Sequence, residues 1–338
     1  MQRNRFRSGY CKNIPPVRER FLSHRPGIQR QRIDRERSLV NRKERTSTKN
    51  LIVYFTQGGT TAKVAEAIAA GLRSKEHEVD LHNMNDGVPP RLDGYGSLGI
   101  GLPVYYWRAP FKVIDYVKSL PDLKGLPVFV FLLYASNHAH AGNWVRKTLT
   151  RKGGREVGYF KAQGADYTYG YIKRGYLFSP NNPTALELDA AQDLGRSVAD
   201  RIAGKLDYVK PGYDRLPSLE YYIQHLLTSR WLVKSIYSRL FFLTSKKCTS
   251  CGLCMKVCPT KNITANAKGH PVWGRNCLLC LYCEMKCPTE AILSPVSLPI
   301  FAPCMAYNIW RDRNNPSLEF VRVVHEKGQT KVVGKGSK

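Results

Sequence analysis

The strongest constraint in this chain is a cysteine pattern written twice. Cys248-Thr-Ser-Cys251-Gly-Leu-Cys254-Met-Lys-Val-Cys258-Pro259 has the spacing C-x-x-C-x-x-C-x-x-x-C-P, and Cys277-Leu-Leu-Cys280-Leu-Tyr-Cys283-Glu-Met-Lys-Cys287-Pro288 repeats it. Three cysteines at i, i+3 and i+6 can wrap three corners of an iron–sulfur cube, while the fourth, steered away by proline, reaches the neighbouring cube. One metal set is then Cys248, Cys251, Cys254 and Cys287, and the other is Cys277, Cys280, Cys283 and Cys258. Zinc sites more often show two C-x-x-C pairs across a ribbon, with no regular third member. Eight of ten cysteines fall between Cys248 and Cys287, and no apolar segment follows the arginine-rich start as in a secretory signal. That favours metal over disulfides, a reducing setting and a cytoplasmic location. Cys11 and Cys304 lie outside the framework and read as ordinary thiols.

Pro259-Thr-Lys-Asn-Ile and Pro288-Thr-Glu-Ala-Ile correspond as short returns after each cysteine loop, so Ile263 and Ile292 are expected to shield the metal from water. Gly252 suits close backbone approach to sulfide. Lys246, Lys247, Lys256, Arg275 and Lys286 place positive charge around the site, which raises a cluster potential.

From Leu51 to Leu206 strands and helices alternate. Leu51–Phe55, Val79 with Leu81, Ser97–Leu102, Val128–Leu133 and Val157–Ala162 read as strands. Helices are expected from Val64 to Leu72, Phe111 to Leu120, Asn143 to Arg151 and Pro183 to Leu206, the last with Leu186, Ala190, Leu194, Val198 and Ile202 on one face. This rhythm predicts an α/β fold with a doubly wound, five-stranded parallel sheet. Such sheets bind ligands beyond the carboxyl ends of their strands, here the loops 56–61, 103–109 and 134–142.

The first loop, Thr56-Gln57-Gly58-Gly59-Thr60-Thr61, opens a helix and has two glycines and three hydroxyls, an anion cradle. It lacks the lysine of a P-loop and the three-glycine spacing of a dinucleotide fold, so a lone phosphate suits it better. A tight strand-to-helix turn with capping threonines would look the same. The second loop, Pro103-Val104-Tyr105-Tyr106-Trp107-Arg108-Ala109-Pro110, offers three consecutive aromatics to a planar ligand. The third runs Tyr134-Ala135-Ser136-Asn137-His138-Ala139-His140-Ala141-Gly142, and its two histidines read as solvated loop residues.

These residues resemble the flavodoxin family, whose first loop is usually Ser/Thr-x-Thr-Gly-x-Thr and holds the phosphate of FMN. Thr56, Gly59 and Thr61 match, whereas Gly58 replaces a hydroxyl residue and Thr60 an asparagine. The resemblance implies FMN contacts from Thr56–Thr61, from Pro103, Val104, Tyr105, Tyr106 and Trp107, and from Ala135, Ser136 and Asn137. Tyr105, Tyr106 and Trp107 would flank the ring. The third loop departs from the family's Tyr/Phe-Gly-Gly. Residues 246–294 resemble bacterial-type ferredoxins carrying two [4Fe-4S] clusters, with all eight ligands and both prolines present. The whole is similar to flavodoxin/ferredoxin fusion proteins, which implies a small α+β two-cluster domain behind the flavodoxin-like one.

The 338 residues therefore divide into a basic extension (1–48), a flavodoxin-like FMN domain (49–207), a helical connector (208–245), a ferredoxin domain (246–296) and a C-terminal extension and tail (297–338). Residues 1–49 hold fifteen Lys and Arg against four Asp and Glu, or +11 of the chain's +27. This stretch reads as disordered, and the remaining +16 would steer an acidic redox partner, such as a ferredoxin, a flavodoxin or a reductase, towards the core. No nucleic acid is expected for the core. In the connector Leu219, Tyr222, Leu226, Val233, Ile236 and Leu240 recur at helical intervals among Arg230, Lys234 and Arg239. Packing of the two domains against one another is the favoured use of that face, with a membrane surface as the alternative. The apolar run Leu126–Ala135 is about half of what crosses a bilayer.

The expected function is intracellular electron transfer, relaying single electrons between two [4Fe-4S] clusters and FMN. The alternatives are a flavin-dependent reductase of a small organic acceptor (quinone, nitro compound or enoate) beside Arg108, His138 and His140, and a redox sensor whose flavin loop stays empty.

Overall fold

The computed structural model describes residues 49–215 and 219–336; the basic extension expected over 1–48, with Cys11, lies outside the described residues. Strands β1 (Lys49–Tyr54), β2 (Glu78–Asn83), β3 (Ser97–Pro103), β4 (Pro127–Tyr134) and β5 (Arg155–Gln163) form one sheet in the order β2-β1-β3-β4-β5. Every pairing in it is parallel. The three central strands are almost continuously apolar because both of their faces are covered. Helix α1 (Thr60–Arg73) shares one core with Ile52, Phe129 and Phe131, while α2 (Phe111–Ser119) and α3 (Ala141–Arg151) share another with Leu51, Val53 and Val130. The flavodoxin-like, doubly wound α/β architecture is as expected.

After β5 come the short helix α4 (Tyr169–Ile172), strand β6 (Tyr176–Phe178) and the long helix α5 (Ala185–Ile202). Helix α5 begins in a full capping box, in which Thr184 and Glu187 satisfy each other's backbone amides. Its buried face differs from the expected one. Leu186 and Ala190 are exposed, and Ala191, Gly195, Val198 and Ala199 face inward. Small residues win there because α1 and α5 touch backbone to backbone: a Cβ at Gly195 would overlap the Ile68 carbonyl, and one at Gly71 the Gln192 carbonyl.

The connector also differs. Helix α6 (Leu219–Leu227) and the helical stretch Arg230–Leu240, whose middle Val233–Tyr237 is wound as a π-helix, bury Tyr221, Val233 and Ser238. Leu219, Tyr222, Leu226 and Leu240, expected to pack inward, are exposed. The inner side of α6 is polar because its partners are polar: Tyr221 pairs with His140, and Gln224 with Asn308.

The cysteine-rich region is framed by two small antiparallel pairs, β7 (Leu243–Thr244) with β10 (Ile292–Leu293) and β8 (Ile263–Ala265) with β9 (Pro271–Trp273). Short helices α7 (Leu253–Val257) and α8 (Tyr282–Met285) follow the second cysteine of each motif. This region shares the core on the α2–α3 side of the sheet. Glu284, 2% exposed, fastens it to the end of α4 through Lys173 at 3.0 Å.

Residues 299–335 are structured, a correction to the expected tail. Helix α9 (Ala302–Arg313) leads to a hairpin of β11 (Phe320–Glu326) and β12 (Gln329–Lys335), and β11 pairs with β6 of the first domain. Phe320 and Val323 are both buried because the register shifts between Arg322 and Val323, β12 is largely exposed, and Lys327 and Gly328 supply the two left-handed turn residues.

Candidate cofactor sites

Each cysteine set closes round its own cavity. One is lined by Cys248, Cys251, Cys254 and Cys287 beneath Ile292; the other by Cys258, Cys277, Cys280 and Cys283 beneath Ile263. The cysteine before each proline thus crosses to the other motif's cavity, as the spacing predicts. Both isoleucines are buried.

The duplication persists in the backbone. Ser250 and Leu279, Gly252 and Leu281, and Lys261 and Glu290 occupy equivalent positions, and all six have positive φ, between 49° and 73°. These left-handed residues turn successive amides towards the sulfurs. Asn262 N–H donates to Cys258 Sγ and Ala291 N–H to Cys287 Sγ, both at 3.3 Å, and Leu279 N–H donates to Cys277 Sγ. Burial pushes the Cys277 thiol up to about 11 and that of Cys280 up to about 12. Sulfurs so placed become thiolates only with a cation to offset them. Four convergent soft sulfurs with amide donors suit an iron–sulfur cube.

The two sets are not equivalent in exposure. In the outer set Cys251 is exposed, whereas in the inner set Cys277 and Cys283 are buried and Trp273, stacked on Phe242, closes the cavity wall. One inner-set neighbour escaped sequence reasoning. Lys112, on α2, donates to the Pro259 carbonyl at 2.6 Å, beside Cys258. It lies far from the cysteines in sequence, so only the docking of the domains shows its place.

The first loop leaves β1 and enters α1 as expected of an anion cradle. Gly59, at φ 87°, is the helix N-cap and donates its N–H to Thr56 Oγ1 at 3.1 Å. Thr61 Oγ1 is buried without a partner, and a phosphate oxygen would satisfy it. The loop therefore fits the phosphate of a flavin mononucleotide. A fourth loop, 164–168, covers it: the Tyr167 ring lies against Gly58, where a Cβ would fall inside it. The glycine that departs from the family pattern thus makes room for a tyrosine from elsewhere. Its neighbour Asp166, 9% exposed, is raised to about 6 by burial.

The second loop is turned towards the cysteines. Tyr105 is hydrogen-bonded to Gln57 of the first loop, Gln57 Nε2 donates to the Cys280 carbonyl at 3.3 Å, and Tyr106 Oη donates to the Leu279 carbonyl at 2.6 Å. Burial raises both phenols, which remain neutral donors. Val104 N–H joins the loop to the end of β4 through the Leu133 carbonyl, and Pro103 ends β3. Trp107 faces another way, stacked on Tyr221 of the connector with Arg311 over its ring at 5.5 Å. The third loop is tied to β5, with Gln163 donating to the Ala135 carbonyl; Asn137 caps its own turn through Ala139 N–H, and Ser136 is half-buried.

Neither histidine is simply solvated. His140 is bonded to Tyr221 at 2.8 Å, and His138 lies 4.0 Å from Asp214. Arg108 is held by the connector, donating to the His225 carbonyl and to Thr228.

Comparison with known proteins agrees with this architecture. Residues 51–175 match the model of the Flavodoxin domain, and residues 241–289 that of the 4Fe-4S dicluster domain. A flavodoxin of Nostoc sp. is 28% identical over 155 residues, covering 42% of this chain and 86% of its own. Among solved structures, an archaeal flavodoxin is 19% identical, covering 46% of this chain and 99% of its own with a TM-score of 0.35. Flavodoxin 2 of Bacillus cereus is also 19% identical, covering 45% and 99% with a TM-score of 0.38. The chain therefore joins a flavodoxin domain to a 4Fe-4S dicluster domain in a flavodoxin/ferredoxin fusion, the domain pair of an iron–sulfur flavoprotein of electron transfer.

Proposed function

We propose that this chain relays single electrons between two [4Fe-4S] clusters and FMN, with the inner cysteine set as the junction. When bound, each cluster exchanges one electron and the flavin one or two, so the assembly can split or combine electron pairs. The observation that carries this reading is that two side chains of the flavin loops, Gln57 and Tyr106, end on the carbonyls of Cys280 and Leu279, between ligands of the inner set.

Cys258, Cys277, Cys280 and Cys283 would hold the inner cluster, and Cys248, Cys251, Cys254 and Cys287 the outer one. Thr56, Gly59 and Thr61 would hold the flavin phosphate. Tyr105 and Tyr106 fix the loops across the seam between the two sites. The exposed outer set, with the exposed Lys246, Lys247 and Lys256 near it in sequence, suits docking of an acidic redox protein: a ferredoxin, a flavodoxin or a reductase.

Anaerobic purification should yield about eight iron, eight sulfide and one FMN per chain. Photoreduction of the bound flavin should then be followed by an exchange with the iron–sulfur chromophore whose rate is independent of protein concentration. Iron without flavin, or exchange that scales with concentration, would overturn the relay.

A further inference from the structure

Helix α6 is amphipathic the wrong way round for a helix that merely joins two domains. Its inward side carries Tyr221 and Gln224, each hydrogen-bonded to another element, and Thr228 just past its end bonds back to the Gln224 carbonyl. Its outward side carries Leu219, Tyr222, Ile223, Leu226 and Leu227, between 48% and 75% exposed. The pattern continues on both flanks. Trp231 is 66% exposed, and on α9, which is fastened to α6 through Arg311 to Glu220 and Gln224 to Asn308, Trp310 is 62% exposed beside Tyr307.

A contiguous apolar face of this kind on a folded protein marks a contact surface. We propose that it seats the protein on the surface of an anionic lipid bilayer. Charge selects this occupant. Residues 219–243 and 299–313 together hold Arg230, Lys234, Arg239, Arg311 and Arg313 against Glu220 and Asp312; Arg311 engages both carboxylates and Arg230 is paired with Asp115, which leaves Lys234, Arg239 and Arg313 with no carboxylate partner among the described residues. Arg239 and Arg313 are exposed. A second copy would bring the same positive rim to the contact, whereas anionic headgroups complement it. Leucine and isoleucine flanked by tryptophan, tyrosine and arginine are what an interfacial helix presents to a bilayer. No helix among the described residues is long and apolar enough to cross a membrane, so the face would lie in the interface plane. The inference is independent of the electron relay.

The test is flotation of the full, cluster-loaded chain with vesicles of phosphatidylcholine alone and of phosphatidylcholine mixed with phosphatidylglycerol. The parent should float with the mixed vesicles and bind the neutral ones at least about tenfold more weakly. Brominated lipid should quench the exposed tryptophans, and Trp231→Phe should remove part of that quenching. The double variant Ile223→Glu/Leu226→Glu changes two exposed positions and should keep its visible spectrum and melting temperature while losing at least about tenfold in vesicle binding. Protein that stays at the bottom of the gradient overturns the proposal. So does a double variant that floats like the parent, since the basic residues 1–48 would then account for binding. A lipid-free dimer that the double variant splits would assign the face to a second copy instead.

Discussion

Tyr106 donates its hydroxyl to the carbonyl of Leu279 over 2.6 Å, joining the second flavin loop to the segment between Cys277 and Cys280. The backbone is bent to allow it. Tyr106 and Trp107 stand at φ 50° and 62°, conformations that cost a bulky residue about 1–2 kcal/mol each. What offsets this is the divergence of the two rings, one onto the cysteine loop and the other onto Tyr221. Of these two adjacent residues, Tyr106 thus joins the second loop to the inner cysteine loop and Trp107 joins it to the connector.

Tyr106→Phe keeps the ring and removes the hydrogen bond, leaving the Leu279 carbonyl without this donor. The expected loss is about 1–2 kcal/mol of stability, with iron, sulfide and flavin contents unchanged. Flash photoreduction should show slower exchange between flavin and clusters. Unchanged rates together with unchanged stability would mean that the contact does nothing for either domain.

Lys112 places an ammonium at the Pro259 carbonyl, next to Cys258 of the inner set. A nearby cation favours the reduced, more negative cluster. Lys112→Met should therefore lower the midpoint potential of the inner cluster by some tens of millivolts, leaving the outer one in place. Redox titration followed by electron paramagnetic resonance separates the two. Equal shifts in both potentials would point to a change in domain packing rather than to local charge.

Restoring a hydroxyl residue at position 58 should weaken flavin binding rather than improve it, because Tyr167 already fills that space. Gly58→Thr alone is expected to raise the FMN dissociation constant, and Tyr167→Ala in the same chain to recover part of the loss. The two changes touch one contact, so their effects should be non-additive by about 0.5–3 kcal/mol. Strict additivity, measured by fluorescence titration of the apoprotein, would dissociate Tyr167 from the phosphate loop.

What the sequence revealed and what it hid follow the range of the interactions. The parallel sheet rests on runs such as Leu51–Phe55 and is present as read, and the repeated cysteine spacing brings each foursome to the wall of one cavity. Tyr167 and Lys112 act on residues over a hundred positions away, and nothing near them in sequence marks them. The periodicity of Leu219, Tyr222 and Leu226 announces an amphipathic helix, but not that its polar side has its partners in His140 and Asn308. At Phe320–Lys335 no alternation marks the hairpin, because a register shift between Arg322 and Val323 breaks the period of β11 and β12 is exposed along most of its length.

Asp166 gives a pH dependence whose sign can be worked out. Burial raises its carboxyl from 3.8 to about 6; the Thr168 N–H at 2.8 Å and Arg311 oppose the shift, and Asp312 adds to it. Below about pH 4 the group is protonated in both the folded and unfolded chains and costs nothing. Between about 4 and 6 the unfolded chain releases the proton and the folded one keeps it, so stability falls as pH rises. The cost levels off above about 6, at a total on the order of 3 kcal/mol. His225, held down to about 4 by burial, acts in the opposite direction over a similar range. The difference between the parent and Asp166→Asn therefore isolates the carboxylate. Asp166→Asn should gain on the parent between about pH 4 and 6, most steeply near pH 5 at up to about 1.4 kcal/mol per pH unit, and by a constant amount well above that. Anaerobic urea unfolding at several pH values measures it, and a pH-independent difference would show that Asp166 is ionised in the folded protein throughout.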